Sequence, residues 1–197
     1  MSETNTHNVF ATLGATNHSS SDRVENDFYT TDPIAITALN FPFHKEIWEP
    51  ACGLGHLSEA LKSQGYTVLS TDLVDRGYGR CGYDFLNQDN NGTTEMDIIT
   101  NPPYSLATEF CEKAIQYVAP GYYVAMFLRL SFLEGKKRRE LFDRYPPKYV
   151  YVASGRISCY RNGDDSKEGK KNVGAMAYAW FIWQKGWAGE TKLGWFN

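Results

Sequence analysis

The sequence has 197 residues, of which 42% are hydrophobic and 22% are charged. This composition is typical of one folded globular domain, and it excludes a fibrous repeat and a wholly disordered chain. The net charge of −3 is unevenly spread, because residues 1–120 contain 6 basic and 16 acidic residues whereas residues 121–197 contain 14 and 7. The basic second part predicts either a surface for phosphate groups or merely an uneven distribution of solvated charge.

The cysteines and histidines give no sign of a disulfide framework or a metal site. The four cysteines are far apart, without Cys-x-x-Cys spacing, and the four histidines form no cluster. No apolar run approaches the roughly 18 residues of a membrane span, and the polar first residues lack the core of a signal peptide. These features predict a soluble, cytoplasmic protein with free thiols, no metal and no membrane contact.

Strand-like and helix-like segments alternate through most of the chain. Residues 1–26 are rich in Ser, Thr and Asn and are predicted to form a flexible arm, followed by one domain over residues 27–197. Alternation of this kind predicts a parallel sheet covered by helices. The predicted strands are 46–49, 66–70, 96–100 and 121–130, and the predicted helices are 56–63 and 106–118.

The last third of the chain has a different pattern. Strand-like segments at 149–152, 156–160 and 174–183 follow one another without long helices between them. The last two flank a polar loop at 161–172, which predicts a late antiparallel hairpin. An antiparallel hairpin added to parallel strands makes the predicted sheet a mixed one.

A glycine-containing loop, Glu49-Pro50-Ala51-Cys52-Gly53-Leu54-Gly55, joins a predicted strand to a predicted helix. Glycine there lets the backbone approach a ligand, and a helix N-terminus offers free N–H groups. The loop lacks the third glycine of the dinucleotide fingerprint, so a tight turn without a ligand is an equally good interpretation. Asp72 follows the next strand, where a carboxylate can bind a ribose diol or can cap its own loop.

The segment Asn101-Pro102-Pro103-Tyr104 is the most specific feature of the sequence. Two consecutive prolines after a buried strand form a stiff turn, and its carbonyl oxygens and the Asn101 side chain can face one point. Tyr104 adds an aromatic surface beside them. Such a site suits a planar group that bears an exocyclic NH2, although a rigid turn with a surface aromatic is the simpler alternative.

With these motifs in this order, the chain resembles the class I S-adenosylmethionine-dependent methyltransferases, and within them the DNA adenine-N6 methyltransferases. The resemblance covers about residues 27–185. It is carried by the glycine loop, by Asn101-Pro102-Pro103-Tyr104 and by Phe28-Tyr29-Thr30-Thr31-Asp32-Pro33. It implies an α/β, Rossmann-like fold with a mixed seven-stranded sheet, mainly parallel with a late antiparallel hairpin and helices on both faces.

The resemblance also implies roles for individual residues. Asp72 would bind the ribose hydroxyls of S-adenosylmethionine, and Asp84 and Phe85 would contact its adenine. The whole implied cofactor set is Tyr29, Thr30, Thr31, Glu49, Ala51, Cys52, Gly53, Gly55, Asp72, Leu73, Asp84, Phe85 and Asn101. The implied catalytic set is Asn101, Pro102, Pro103 and Tyr104, with Asn101 and the Pro102 carbonyl accepting hydrogen bonds from the target amine and Tyr104 stacking on the base. In duplex DNA that base must first be flipped out.

The chain departs from these enzymes in having no room for a separate target-recognition domain. A short or loose target sequence, a separate recognition partner and a monomer or weak dimer are therefore expected, as in a phage or bacterial enzyme. The candidate DNA contacts are basic residues of the second part of the chain, which are Lys136, Lys137, Arg138, Arg139, Arg161, Lys170 and Lys171. A solvated helix face and a disordered surface loop are the alternatives for these residues.

The motif does not define the substrate by itself. An RNA base or a protein glutamine are alternative acceptors, and a non-catalytic module that binds the cofactor or DNA is a further one. The intact Asn101, Tyr104, Asp72 and glycines favour an active enzyme, and the basic second part favours nucleic acid.

Overall fold

The structure is a computed structural model that describes residues 29–88, 92–157, 159–161 and 176–197. The arm predicted over residues 1–26 lies outside the described residues. The strands are β1 (Tyr29–Thr31), β2 (Glu46–Glu49), β3 (Thr67–Ser70), β4 (Asp97–Thr100), β5 (Tyr123–Arg129), β6 (Tyr149–Ala153), β7 (Cys159–Arg161), β8 (Tyr178–Gln184) and β9 (Lys192–Phe196). The helices are α1 (Ile34–Thr37), α2 (His56–Ser63), α3 (Ala107–Tyr117) and α4 (Lys136–Arg144), with 3-10 turns at Tyr104–Leu106 and Leu130–Leu133.

Seven of the strands form one mixed sheet in the order β3-β2-β4-β5-β8-β6-β9. Strands β3, β2, β4 and β5 are parallel neighbours, and β6 and β9 form a further parallel pair. Strand β8 runs antiparallel to both β5 and β6. The predicted fold class, a mixed seven-stranded sheet that is mainly parallel with late antiparallel strands, is confirmed.

The antiparallel pairing differs in detail from the expected hairpin. The segment predicted at 156–160 contributes β7, which pairs with β1 in a separate two-stranded sheet instead of with β8. Strand β8 is an apolar run that is buried along almost its whole length, so it takes a central position between β5 and β6. Strand β9, which the sequence pattern did not indicate, occupies the edge next to β6 and exposes Leu193 and Trp195.

Helices cover both faces of the sheet, and each face has its own apolar core. On one face, Phe110 and Ile115 of α3 and Leu141 of α4 pack against the sheet. On the other face, α1 and α2 are packed against it, and the indole nitrogen of the fully buried Trp180 donates a hydrogen bond to the Ala35 carbonyl at 2.7 Å. None of the helices in the described ranges combines the length and the apolar character needed to cross a membrane.

This topology positions the candidate site. Because β2, β3, β4 and β5 are parallel, their carboxyl ends meet at one edge of the sheet. In open α/β sheets, ligands bind at that edge. The glycine loop follows β2, Asp72 follows β3, and Asn101 follows β4.

Candidate functional site

The glycine loop is a tight turn that depends on positive φ angles. Gly53 has a φ of 56° and Gly55 a φ of 85°, values that favour glycine. A Cβ atom on Gly55 would lie 2.5 Å from ring atoms of Tyr78, so the loop also has no space for a side chain there. The turn leads directly into α2, whose first residue is His56.

Asp72 is held against this loop. Its Oδ2 accepts a hydrogen bond from the Gly53 N–H at 2.8 Å, and its Oδ1 accepts from the Val74 N–H at 2.9 Å and from Arg76 at 3.0 Å. The side chain is almost fully buried, whereas the neighbouring Leu73 is 57% exposed. A carboxylate offers about four acceptor positions, so one remains for a ligand hydroxyl beside the Gly53 backbone.

Glu49, the last residue of β2, is buried beneath the loop. Its Oε2 accepts a hydrogen bond from Ser58 of α2, and the Ser58 hydroxyl lies 2.6 Å from that of Ser70 at the end of β3. Burial away from water raises the pKa of Glu49 from its ordinary value of 4.5 to about 8, with the negative charge of Asp72 adding to the effect. Glu49 is therefore a neutral carboxyl at pH 7 unless a cation comes close.

Ala51 and Cys52 of the glycine loop pack against neighbouring side chains and offer no reactive group. Ala51 is half-buried and packs against one of the two apolar cores. Cys52 is buried, and burial together with the nearby Glu49 and Asp72 raises the pKa of its thiol to about 12. A thiol that keeps its proton at neutral pH does not act as a nucleophile.

Asn101 lies just beyond β4, and β1 fixes the orientation of its side chain. Its Nδ2 donates to the Thr31 hydroxyl at 2.8 Å and to the Tyr29 carbonyl at 3.2 Å. Because a carbonyl only accepts hydrogen bonds, the amide nitrogen must face β1 and the amide oxygen must face away from it. That oxygen, Oδ1, is buried and has no hydrogen-bond partner among the described residues.

Tyr104 begins the 3-10 turn after the two prolines and belongs to a group of aromatic rings. Its ring centre lies 5.3 Å from that of Tyr29 and 6.3 Å from that of Tyr178, and its hydroxyl is 3.5 Å from the Cys159 sulfur. Burial raises the pKa of the Tyr104 hydroxyl well above its ordinary value. The side chain is half-buried, so it provides an aromatic surface and not a base.

The two prolines have different surroundings. Pro102 is buried and Pro103 is half-buried in an extended conformation with a φ of −52° and a ψ of 122°. The Pro103 carbonyl accepts a hydrogen bond from the Leu106 N–H at 2.9 Å. The prolines thus connect the buried strand β4 to the turn that presents Tyr104.

The side chains of Asp84 and Phe85, which the resemblance assigns to the adenine of the cofactor, have partners within the protein. The Asp84 carboxylate accepts hydrogen bonds from the backbone of Leu86 and from Asn87, and the Asn87 contacts lower its pKa. The Phe85 ring is 2% exposed and packs 5.3 Å from Trp48 and 5.1 Å from Phe110, measured between ring centres. Its side chain is part of the core.

The basic residues at 136–139 occupy the first turn of α4, and two of the four have partners. The Arg138 guanidinium donates to the Glu134 carbonyl at 2.8 Å and lies over the Phe132 ring, and Arg139 pairs with Asp143 at 2.9 Å. Lys136 and Lys137 are exposed. The structure describes only the backbone of Arg161, in β7, and Lys170 and Lys171 lie outside the described residues.

One charged residue of this edge was missed by the sequence analysis. Arg129 is the last residue of β5, and its guanidinium carbon lies 4.7 Å from the Tyr104 ring centre and 5.9 Å from the Tyr29 ring centre. No motif contains it, because a single arginine at the end of an apolar run has no distinctive spacing. Only the pairing of β5 with β4 brings it to the site.

The structure therefore brings the predicted residues together in two adjoining groups. One group, at the ends of β2 and β3, is connected by the hydrogen bonds of Asp72 and Glu49. The other, at the end of β4, connects Asn101 and Tyr104 with β1. The basic first turn of α4 belongs to neither group, and it follows β5 through the 3-10 turn at Leu130–Leu133.

Comparison with known proteins shows similarity at the level of the fold. No protein-family model matches the sequence, and no curated protein matches it either. The structure is similar to a proposed class I S-adenosylmethionine-dependent methyltransferase from Listeria monocytogenes, with a TM-score of 0.53 and 13% identity over 80% of this chain and 60% of that one. It is also similar to a type I restriction-modification methyltransferase subunit from Streptococcus thermophilus, with a TM-score of 0.57 and 14% identity over 82% of this chain and 46% of that one.

A third similar structure is a proposed RNA methyltransferase from Pyrococcus horikoshii, with a TM-score of 0.51 and 14% identity over 73% of this chain and 75% of that one. The chain thus spans about half to three quarters of the length of these three proteins. It has the fold of the class I S-adenosylmethionine-dependent methyltransferases, as the sequence motifs predicted.

Proposed function

We propose that this protein is an S-adenosylmethionine-dependent methyltransferase that methylates the N6 amine of adenine in DNA. The observation that carries the proposal is the buried Oδ1 of Asn101, which has no hydrogen-bond partner in the described part of the chain. Tyr29 contacts both Asn101 and the Tyr104 ring. An unsatisfied buried acceptor costs about 1–3 kcal/mol. A substrate N–H would recover that free energy.

The residues at the ends of β2 and β3 fit the cofactor. The glycine loop has a backbone that a ligand can approach closely, and Asp72 has an acceptor position left for a ribose hydroxyl. None of the ion pairs within the described ranges includes Glu49, and the ammonium of the methionine part is the cation that would ionise this carboxyl. When bound, S-adenosylmethionine supplies an electrophilic methyl group.

Asn101 and Tyr104 would position the target amine. The Asn101 Oδ1 accepts one N–H of the amine, which orients the nitrogen lone pair and stabilises the positive charge that develops on it. Tyr104 holds the plane of the base. Neither Tyr104 nor Cys159 is available as a base at neutral pH, because burial raises the pKa of both and keeps them protonated. Positioning and electrostatics are therefore the main contributions of the protein, and the methylated amine loses its proton to water.

Three observations support DNA as the substrate. The motif Asn101-Pro102-Pro103-Tyr104 resembles that of the adenine-N6 enzymes, and one similar structure is a restriction-modification methyltransferase subunit. In addition, Lys136 and Lys137 are exposed at the start of α4, soon after β5 ends at the site edge. Contacts of such lysines with phosphates contribute affinity without sequence specificity.

The test is methyl transfer from radiolabelled S-adenosylmethionine to unmethylated DNA, to RNA and to a protein extract in parallel. We expect label in DNA from the native protein and none from the Asn101→Ala variant, with calorimetric binding of the cofactor retained by both. Label in RNA or in protein would keep the chemistry and overturn DNA as the substrate. Cofactor binding without any transfer would favour a non-catalytic binding module.

A further inference from the structure

Arg129 has the features of a substrate-binding residue. It lies at the carboxyl end of β5, three residues beyond Met126, the partner of Thr100 in β4. It is half-buried, and its Nε atom is buried without a hydrogen-bond partner among the residues that the structure describes. An unsatisfied buried N–H of a guanidinium is costly, so a ligand that accepts a hydrogen bond from it would lower the free energy of this site.

The guanidinium lies over the rings of two tyrosines. It is within 6 Å of the ring centres of both Tyr29 and Tyr104, which are themselves 5.3 Å apart. Cation–π contact with both rings therefore holds the guanidinium beside Tyr104, the side chain proposed to stack on the target base.

Among the described residues, no carboxylate is paired with Arg129. Cys159 and Tyr178 are close to it, but burial raises their pKa values to about 11 and about 12, so both are neutral at pH 7. Asp32, whose negative charge also acts on Cys159, accepts a hydrogen bond from the Ile34 N–H at the start of α1.

The proposed reaction makes a solitary cation unfavourable at this position. Methyl transfer brings positive charge onto the target amine beside Tyr104, and a guanidinium next to the same ring would oppose it. A phosphodiester on Arg129 would remove that opposition. The guanidinium also offers two parallel N–H donors, the geometry that phosphate oxygens accept best.

We propose that Arg129 binds a backbone phosphate next to the target nucleotide and thereby makes the site selective for a nucleic acid strand. This assignment rests on the proposed function. It adds a phosphate contact inside the target site, distinct from the exposed lysines of α4.

The test compares native and phosphate-neutral substrates. The substrate is a single-stranded oligonucleotide that carries the methylated sequence found in the transfer assay, with an ordinary linkage or with a methylphosphonate on either side of the target adenine. We expect one methylphosphonate to raise the KM of the native protein about tenfold, the usual size for one charge-assisted contact. The Arg129→Gln variant should already show the raised KM with the ordinary oligonucleotide. Its KM should not rise further with the methylphosphonate.

A salt titration gives a second readout. Loss of one phosphate contact from a single strand should lower the slope of log affinity against log salt by about 0.7. The Arg129→Lys variant keeps the charge, so it should keep the slope while losing part of the affinity. Arg144→Gln is the matched control, because Arg144 is an exposed arginine 6.0 Å from the ring of Tyr145 at the far end of α4.

The outcomes separate this assignment from the proposed function. Equal methylphosphonate effects in the native protein and in the Arg129→Gln variant, with methyl transfer intact, would overturn the assignment of Arg129 alone. If the variant does not fold, a native protein that is insensitive to both methylphosphonates would overturn it equally. A native protein that binds S-adenosylmethionine but methylates no nucleic acid would overturn the proposed function and this assignment together.

Discussion

Replacing Glu49 with glutamine tests the electrostatics of the proposed cofactor site. Its carboxyl is 2% exposed, and burial raises its pKa from 4.5 to about 8. An unfolded chain loses this proton near pH 4.5 whereas the folded protein keeps it to about pH 8, so the free energy of unfolding falls as the pH rises through that window. The contribution of Glu49 to stability is therefore fully present below pH 4.5 and is lost by about pH 8.

The size of the effect follows from the pKa shift. One pKa unit corresponds to about 1.4 kcal/mol, so Glu49 costs the folded state about 3 kcal/mol at pH 7 relative to pH 4.5. Glutamine has nearly the same shape and does not titrate. The Glu49→Gln variant should therefore gain stability relative to the native protein by about 1.4 kcal/mol for each pH unit between pH 5 and pH 7.

Urea unfolding at several pH values measures this difference. The matched control is Glu46→Gln, because Glu46 is exposed at the other end of the same strand. A difference between Glu49→Gln and the native protein that stays constant with pH would refute the assignment of a neutral buried carboxyl. In the native protein, calorimetry below pH 8 should also show proton release on cofactor binding, which the variant should lack.

Substitutions at three further positions, Asn101, Tyr104 and Gly55, test the site. Asn101→Ala should lower the single-turnover rate at least 100-fold, the usual effect of losing a preorganised polar contact, and a rate near that of the native protein would remove Asn101 from the mechanism. Tyr104→Phe keeps the ring and should transfer methyl groups within a few-fold of the native rate, whereas Tyr104→Ala should fail; equal rates for the two would contradict stacking. Gly55→Ala should destabilise the protein by about 1–3 kcal/mol in urea unfolding, because its Cβ meets the Tyr78 ring at 2.5 Å. Gly82→Ala, with a similar φ of 70° and open space, is the control and should cost about 1 kcal/mol.

The convergence of the site residues could be predicted from the sequence because it depends on local patterns and one topological rule. Strands β2, β3 and β4 are short, and they are followed within two residues by Pro50, Asp72 and Asn101, respectively. Because the strands are parallel, their carboxyl ends lie at one edge of the sheet. The burial of Trp180 and Phe181 within β8 also agrees with the pattern, since a strand that is apolar at every position but its last must be covered on both faces.

Other features depend on long-range contacts that no local pattern contains. Strand β7 pairs with β1 across most of the chain, although proximity in sequence favoured a hairpin with β8. The roles of charged side chains are equally non-local. Arg138 and Arg139 have carbonyl and carboxylate partners of their own, whereas the solitary Arg129 meets Tyr104 only after β4 and β5 have paired.

Mass spectrometry of digested DNA tests the central claim most directly. Unmethylated DNA is incubated with S-adenosylmethionine and either the native protein or the Asn101→Ala variant, and the nucleosides are then quantified. We predict N6-methyladenine with the native protein and none above background with the variant. DNA without N6-methyladenine, from a native protein that demonstrably binds S-adenosylmethionine, would contradict the account.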